Sequence, residues 1–205
     1  MNAGFSNLTT LKRELLLASD AAGTDYDAVV AALGLGVASM FESYCDRKFF
    51  RTVDDVFECP ADRYSIVVPR YPIEAVNSVE MRDSIASGWE EQADLPDNYL
   101  PEAGLVQFGS VPGVFPATLR ITYTGGFWWD TTEDSSGSKP AGATAVPLAL
   151  VSAWHLQCKF FWDRRSLEDR AKAGFTDKES ERFITPADEL LGSVKTIIAT
   201  FRRYT

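Results

Sequence analysis

The sequence predicts an α+β protein: a helical bundle formed by both chain ends, residues 1–49 and 146–205, with an antiparallel β domain, residues 50–129, inserted in it. Three observations carry this. Apolar residues recur at three- and four-residue steps near both ends of the chain. Between them lie short runs rich in β-branched and aromatic residues, separated by Pro, Gly, Asp and Asn at fairly even spacing. The surplus acidity also sits in the middle, where residues 51–145 hold fifteen Asp and Glu against six Lys and Arg and the whole chain has a net charge of −9. With 45% hydrophobic and 24% charged residues, the 205-residue chain can bury a real core.

Leu8 to Leu17 reads as a short helix capped by Thr9 or Thr10. Ser19 to Thr24 reads as a turn, after which Thr24 caps a longer helix with Asp25 and Asp27 in its first turn, where acids suit the helix dipole. Val30, Leu33, Val37, Phe41 and Tyr44 mark the buried stripe of that helix, which ends around residues 47–49. Gly34 and Gly36 weaken it by about 1 kcal/mol each relative to Ala. Close approach of another helix is the expected reason for them.

Strands are expected at Val53–Cys59, Tyr64–Val68, Ala75–Arg82, Tyr99–Pro101, Leu105–Phe108 and Thr118–Thr124. In the last, Leu119, Ile121 and Tyr123 alternate with Arg120, Thr122 and Thr124, so one face should be buried. Pro69 and Pro72 should end the second strand. Residues 130–145 are assigned to a mobile loop, because the stretch DTTEDSSGSKPAGAT lacks any large apolar residue. Pro147 opens a third helix with the stripe Leu148, Val151, Trp154, Cys158 and Phe161. Arg164 to Arg182 is highly charged, with Ser166 and Asp169 placed like a capping box and Gly174 as a break. Thr185-Pro186 signals a fourth helix, striped by Leu190, Leu191, Val194, Ile197, Ile198 and Phe201. Arg202 and Arg203 close it against the negative end of its dipole.

Motifs for catalysis are scarce, and the expectation is a protein that is not an enzyme and has no cofactor or metal. The single histidine, His155, lies on a mostly apolar helix and reads as structural. No zinc, P-loop or nucleophile-elbow pattern occurs. Gly125-Gly126 reads as a turn, since Phe127-Trp128-Trp129 follows where a dinucleotide site needs spaced glycines. Those aromatics read as a hydrophobic anchor or contact at the start of the loop. A sugar-stacking surface, and hence a carbohydrate-binding or hydrolytic protein, is the alternative. Clusters such as Asp54-Asp55 and Glu90-Glu91 read as solvated acids beside turns. Cys45, Cys59 and Cys158 are odd in number and without metal spacing, and read as buried structural thiols. The acidic middle disfavours tight binding to a phosphate backbone but suits a wall that nucleic acid passes. No membrane span and no cleavable leader are expected, so synthesis is placed in a cytoplasm.

The order of these parts resembles the head–tail connector, or adaptor, family of tailed bacteriophages, in a longer form with a β insertion. The resemblance rests on Leu8-Thr9-Thr10-Leu11-Lys12 followed by Asp25 and Asp27, and on Phe41-Glu42-Ser43-Tyr44-Cys45-Asp46-Arg47-Lys48-Phe49. It continues through Val67-Val68-Pro69-Arg70-Tyr71-Pro72-Ile73, then Ile121 to Phe127 with Val146-Pro147-Leu148, and ends on Phe201-Arg202-Arg203-Tyr204. The stretch from Arg164 to Arg182 and the length of the loop depart from that pattern.

The resemblance implies a non-catalytic protein of the virion neck, made in the host cytoplasm. It implies a ring, commonly of twelve copies, beneath the portal protein, which extends the DNA channel toward a stopper or tail-completion protein and lets DNA pass through without specific binding. A stopper or tail-completion role is the runner-up. Ring closure calls for heterologous contacts. The terminal segment Leu190, Leu191, Val194, Ile197, Ile198, Phe201, Arg202, Arg203 and Tyr204 is the candidate portal-binding element, with its own core as the other place it can pack.

Overall fold

The computed structural model describes residues 4–15, 24, 26–92, 96, 98–132, 137–172 and 189–203, with the backbone alone for 165–172. These form two compact units. One is helical and comprises Met1–Cys45, Trp129–Ser138 and Val146–Arg202; the other is β and comprises Asp46–Trp128, Lys139–Ala145 and Arg203–Thr205.

The helical unit contains α1 (Leu8–Leu15), α2 (Asp27–Cys45), α3 (Leu148–Lys172) and α4 (Gly192–Ile198), the last followed by a 3-10 turn at Ala199–Phe201. The cap of α1 is Asn7 rather than Thr9 or Thr10. Its Oδ1 accepts the Thr10 N–H at 2.8 Å, which satisfies a donor that the helix itself leaves free. At the start of α2, Thr24 contributes its carbonyl to the Asp27 N–H at 3.1 Å, and Tyr26 accepts the first helical bond from Val30. The mostly buried Lys12 donates to Asp27 at 2.5 Å and ties α1 to the first turn of α2. Beyond Cys45 the backbone turns at Asp46, φ 50°, a left-handed conformation that stops the helix.

On α3 the expected stripe is rotated. Leu148 is 82% exposed, while Leu150, Ala153, Trp154, Gln157 and Cys158 are buried. The Pro147 carbonyl accepts from Leu150 and Val151, so the helix starts one residue after the proline. α3 continues as helix to Lys172, through the positions of the expected capping box, so no helix begins at Ser166. Gly174, Thr185 and Pro186 lie outside the described residues, as do residues 19–23 of the turn expected from Ser19 to Thr24.

Trp154 lies at the centre of this unit. Its Nε1–H donates to the Gly34 carbonyl at 2.9 Å. Phe5 packs edge-on to Trp154 at 5.9 Å and to Trp129 at 5.6 Å, and tilted against Phe41 at 6.0 Å. By length and composition α2 could cross a bilayer, contrary to the expectation that no segment could. Its stripe is nevertheless buried inside the unit, with Val30, Val37, Phe41 and Cys45 all at 1% exposure or less.

The β unit holds a four-stranded antiparallel sheet of order β1-β7-β3-β4 and a three-stranded antiparallel sheet of order β2-β6-β5. The strands are β1 (Thr52–Pro60), β2 (Ser65–Val67), β3 (Ile73–Arg82), β4 (Glu90–Glu91), β5 (Asn98–Leu100), β6 (Leu105–Gln107) and β7 (Thr118–Gly125). Both sheets feed one core, in which Ile66, Val68, Val106 and Phe108 meet Val79, Leu119, Ile121 and Tyr123. The alternation foreseen in β7 appears as buried Leu119, Ile121 and Tyr123 interleaved with half-buried Thr118, Arg120 and Thr122, but it ends there, since Thr124 is buried as well.

Two further strands, β8 (Phe127–Trp128) and β9 (Thr144–Ala145), pair in parallel. The stretch assigned to a loop therefore ends in a strand. Its beginning is organised by Asp130, whose two carboxylate oxygens accept from the backbone N–H of Thr132 and of Gly137. Gly126 joins β7 to β8 with φ +96°, and a Cβ there would stand 2.6 Å from the Phe50 carbonyl oxygen, so the turn needs glycine.

The two helical glycines expected to mark a helix contact differ. Gly34 is buried, but Gly36 is exposed and a Cβ there meets nothing within 4 Å. Close packing occurs instead at Gly4, φ +116°, where a Cβ would fall 2.6 Å from the Trp154 ring. Gly36→Ala is expected to raise stability by about 0.5–1 kcal/mol, while Gly4→Ala lowers it. Urea unfolding of the two variants, followed by tryptophan fluorescence, checks both signs.

Candidate interaction surface

The β unit is organised around two arginines that follow α2 and β2. Arg47 is 5% exposed. Its guanidinium lies 3.4 Å from the Tyr71 ring centroid, 4.9 Å from Phe49 and 5.3 Å from Phe127, and donates to the Tyr71 carbonyl. Aromatic faces and a carbonyl thus replace the water lost by a buried cation. Arg70 donates through Nε to Asp55 at 2.7 Å and through Nη1 to the Phe50 carbonyl. Tyr123 completes this network: its hydroxyl accepts from the Arg70 N–H at 3.2 Å and donates to Asp55 at 3.3 Å. Together these side chains join β1, β7 and the segment between β2 and β3.

Three surfaces of the β unit are exposed and built. The outer face of the four-stranded sheet is a charged lattice. Arg120 lies between Glu58 at 3.0 Å and Glu80 at 3.7 Å, and Arg82 reaches Glu58 at 3.8 Å. Trp89 joins this face, with its ring 3.9 Å from the Arg120 guanidinium and 4.4 Å from that of Arg82, which anchors the chain just before β4.

A second surface is one end of the sheet. Thr118 pairs with both Pro60 and Arg82, so the segments 61–64, 83–89 and 109–117 leave from the same end. There Ile85 is 91% exposed, Phe115 84%, Val114 79% and Tyr64 67%. Such a collection of solvated apolar side chains marks contact surface more often than solitary exposure does.

The third is a groove of about 560 Å³ between β1 and β2, lined by residues that include Phe57, Cys59, Arg63, Tyr64, Ile66 and Arg203. Arg203 closes one wall: its Nη2 donates to the Val67 carbonyl at 2.5 Å and its Nη1 stands 3.9 Å from Asp46. Burial pushes the Cys59 thiol up to about 11, with Arg63 opposing the shift. A thiol held protonated in this way is a poor nucleophile at neutral pH.

The candidate residues read from the sequence are placed differently from that expectation. Leu190, Val194 and Ile198 are buried in the helical unit, and Leu191, Ile197 and Phe201 are half-buried. The Ile198 carbonyl accepts from the buried Cys45 thiol at 3.4 Å, and Gln157 Oε1 accepts the Leu191 N–H at 2.9 Å. α4 is thus held in its own core, because its stripe covers apolar surface of α2 and α3. Of the basic finish, Arg202 is exposed, Arg203 belongs to the groove, and Tyr204 lies outside the described residues.

Phe127 is no exposed contact either. It is 6% exposed and stacks on Phe49 at 6.4 Å and 14°. Trp128 is a half-buried strand residue and Trp129 packs on Phe5, so the trio presents no open aromatic platform. His155 sits beside Trp154 with a buried Nε2 that has no hydrogen-bond partner among the described residues. Burial lowers its pKa, so it stays neutral. Among the described residues no group of His, Cys, Asp and Glu is arranged to hold a metal.

No family model matches the chain, and no curated protein does. Solved structures do. A chain from the "Neck of empty GTA particle computed with C6 symmetry" aligns with a TM-score of 0.56 at 15% identity, covering 97% of this chain and 89% of its own. A chain from the "Virion of native gene transfer agent (GTA) particle" aligns with a TM-score of 0.55 at 13% identity, over the same shares of the two chains. At these identities the likeness establishes a shared fold over nearly the whole sequence.

Two predictions follow from the buried groups. Burial, and next the charge of Asp55, push the Tyr123 phenol well above its ordinary value. Its contribution to stability is full below about pH 10 and is lost as pH rises above that, because only the unfolded chain releases the proton there. Cys59 acts in the same direction between 9.0 and about 11. Tyr123→Phe should flatten the alkaline fall of the urea midpoint while costing about 1 kcal/mol at neutral pH. Ile198→Ala should cost about 2–5 kcal/mol, measured by the same unfolding, since its side chain is fully buried.

Proposed function

We propose that this chain is a structural, non-catalytic component of a virion neck: an adaptor whose copies form a ring under the portal and extend the DNA channel toward the tail. In this reading both chain ends build one helical bundle, with the β unit as its insertion. The observation that carries it is the fold match over 97% of the chain to a chain of a particle neck. The ordered motif set supports it independently. Arg47, Tyr71 and Phe127, which lie in three separate motifs of the resemblance, meet around one buried guanidinium.

The neck of that neighbour was computed with C6 symmetry, and a twelvefold ring is compatible with a sixfold axis. A head-to-tail ring requires two different patches on each copy. An acidic β unit also suits a channel wall past which DNA slides.

Size determination of the purified protein, alone and with portal protein, tests this reading. A ring, or a ring that forms only with portal, is the expected outcome; a strict monomer that ignores portal overturns it. The neighbouring level of the stack, a stopper or tail-completion role, is separated by pull-down: capture by tail protein without any portal binding favours it over the adaptor.

A further inference from the structure

Among the described residues the four-stranded sheet ends in β1 on one side and β4 on the other. We infer that these two edges pair with each other between neighbouring copies of this chain, so that Glu90 and Glu91 of one copy meet Arg203 of the next. This rests on the ring reading above and names the contact that would close the ring.

The hydrogen-bond phase of β1 comes first. Ala61 donates to the Ala117 carbonyl, and Cys59, Phe57 and Asp55 stand opposite Leu119, Ile121 and Tyr123. Alternation along an antiparallel strand then directs the backbone groups of Val56 and Glu58, and the carbonyl of Pro60, outward to the free edge. Pro60 fits that phase, since its missing N–H is lost only from the outer side. On β4 the Gln92 N–H bonds the Val79 carbonyl, so the backbone of Glu91 is the part that faces away from the sheet.

β1 is guarded at its two ends, by a break in register between Thr52 and Asp55 and by Pro60, and is open between them. The regular stretch from Asp55 to Cys59 contains no lysine and exposes Val56 by more than half. Such an edge is a template for another strand. Alongside it runs the groove, with Phe57, Cys59 and Ile66 among its lining residues and β2 as its opposite rim. β2 is itself an edge. The bonds from Val68 to Gly104 and from Phe108 to Tyr64 turn Ser65 and Val67 toward its free side.

Charge selects the occupant. Arg203, whose side chain is 15% exposed, has a buried Nε with no partner among the described residues, and its one ion pair is a loose 3.9 Å. Of the acids that line the groove, Glu58 is offset by Arg120 and Arg82. On the opposite edge Glu90 and Glu91 are exposed and have no ion pair among the described residues. They are held in place by the pairing with Glu80 and Met81 and by Trp89 clamped between two arginines. One edge offers a guanidinium whose ion pair is loose, and the other offers carboxylates with no ion pair among the described residues. A strand added across such edges gains main-chain hydrogen bonds, and charge fixes the partner. Because the two edges differ, the contact is head-to-tail, the kind that closes rings.

The test uses the full chain under the conditions in which the ring forms. Glu90→Arg with Glu91→Arg, and separately Arg203→Glu, should each weaken assembly by at least about tenfold in the concentration needed, read by mass photometry. Mixing the two variants, or combining them in one chain, should restore it. Val56→Pro, which removes an outward N–H, should block assembly while the urea midpoint stays near that of the parent. If it unfolds the monomer, Val56→Lys takes its place. Amide exchange at Val56 and Glu58 should slow in the ring. Rings that form normally in every variant, with no slowing at those amides, overturn the inference and leave the ring reading standing. A parent chain that never assembles, even with portal, overturns both.

Discussion

A buried guanidinium organises the β unit. Arg47 is removed from water where three aromatic side chains from three separate segments converge: Phe49 directly after α2, Tyr71 between β2 and β3, and Phe127 at the start of β8. A cation in that position is tolerated only if ring faces and a carbonyl oxygen are presented to it together. The requirement therefore acts on all three segments at once. It places Tyr71 against the turn at Gly104 and Phe127 beyond the glycine at 126. Arg70 extends the same logic one residue earlier, with Asp55 and Tyr123 as its partners.

With the inner face settled, the sheet has to deal with its borders. Its outer face is neutralised internally, through Arg120, Arg82, Glu58, Glu80 and the interposed Trp89. The edges are treated unequally. β4 is two residues long and acidic, a form that resists indiscriminate pairing, whereas β1 is long, partly apolar and borders a groove. This asymmetry separates a sheet that merely ends from one that can be continued by a different edge.

The helical unit resolves the competition over the last helix. A stripe of apolar residues at three- and four-residue spacing serves equally well for a subunit core or for a partner's groove. Leu190, Val194 and Ile198 lie in the core, and Gln157 and Cys45 hold the adjoining backbone by hydrogen bonds. Exposed apolar surface is found instead on the loop tips around Ile85, Val114 and Phe115. Those residues stand in turn-rich sequence with no periodicity, so no pattern marks them before the strands are paired.

Read alone, the sequence determined the mixed class, the six longer strands, the glycine turn after β7 and three of the helices. Each of these depends on local periodicity and turn chemistry, which a single segment carries within itself. β4, β8 and β9 escaped because a two-residue strand has no period; it exists only through its neighbour. The rotation of the α3 stripe, the burial of Phe127 and of the α4 stripe, and the roles of Arg47 and Arg203 were likewise decided by tertiary structure. Whether an apolar or charged side chain is covered depends on segments 20 to more than 100 residues away, as Arg203 over the Val67 carbonyl illustrates across 136 positions. Desolvation and partner supply are properties of the assembled fold, and no residue's own neighbours along the chain encode them.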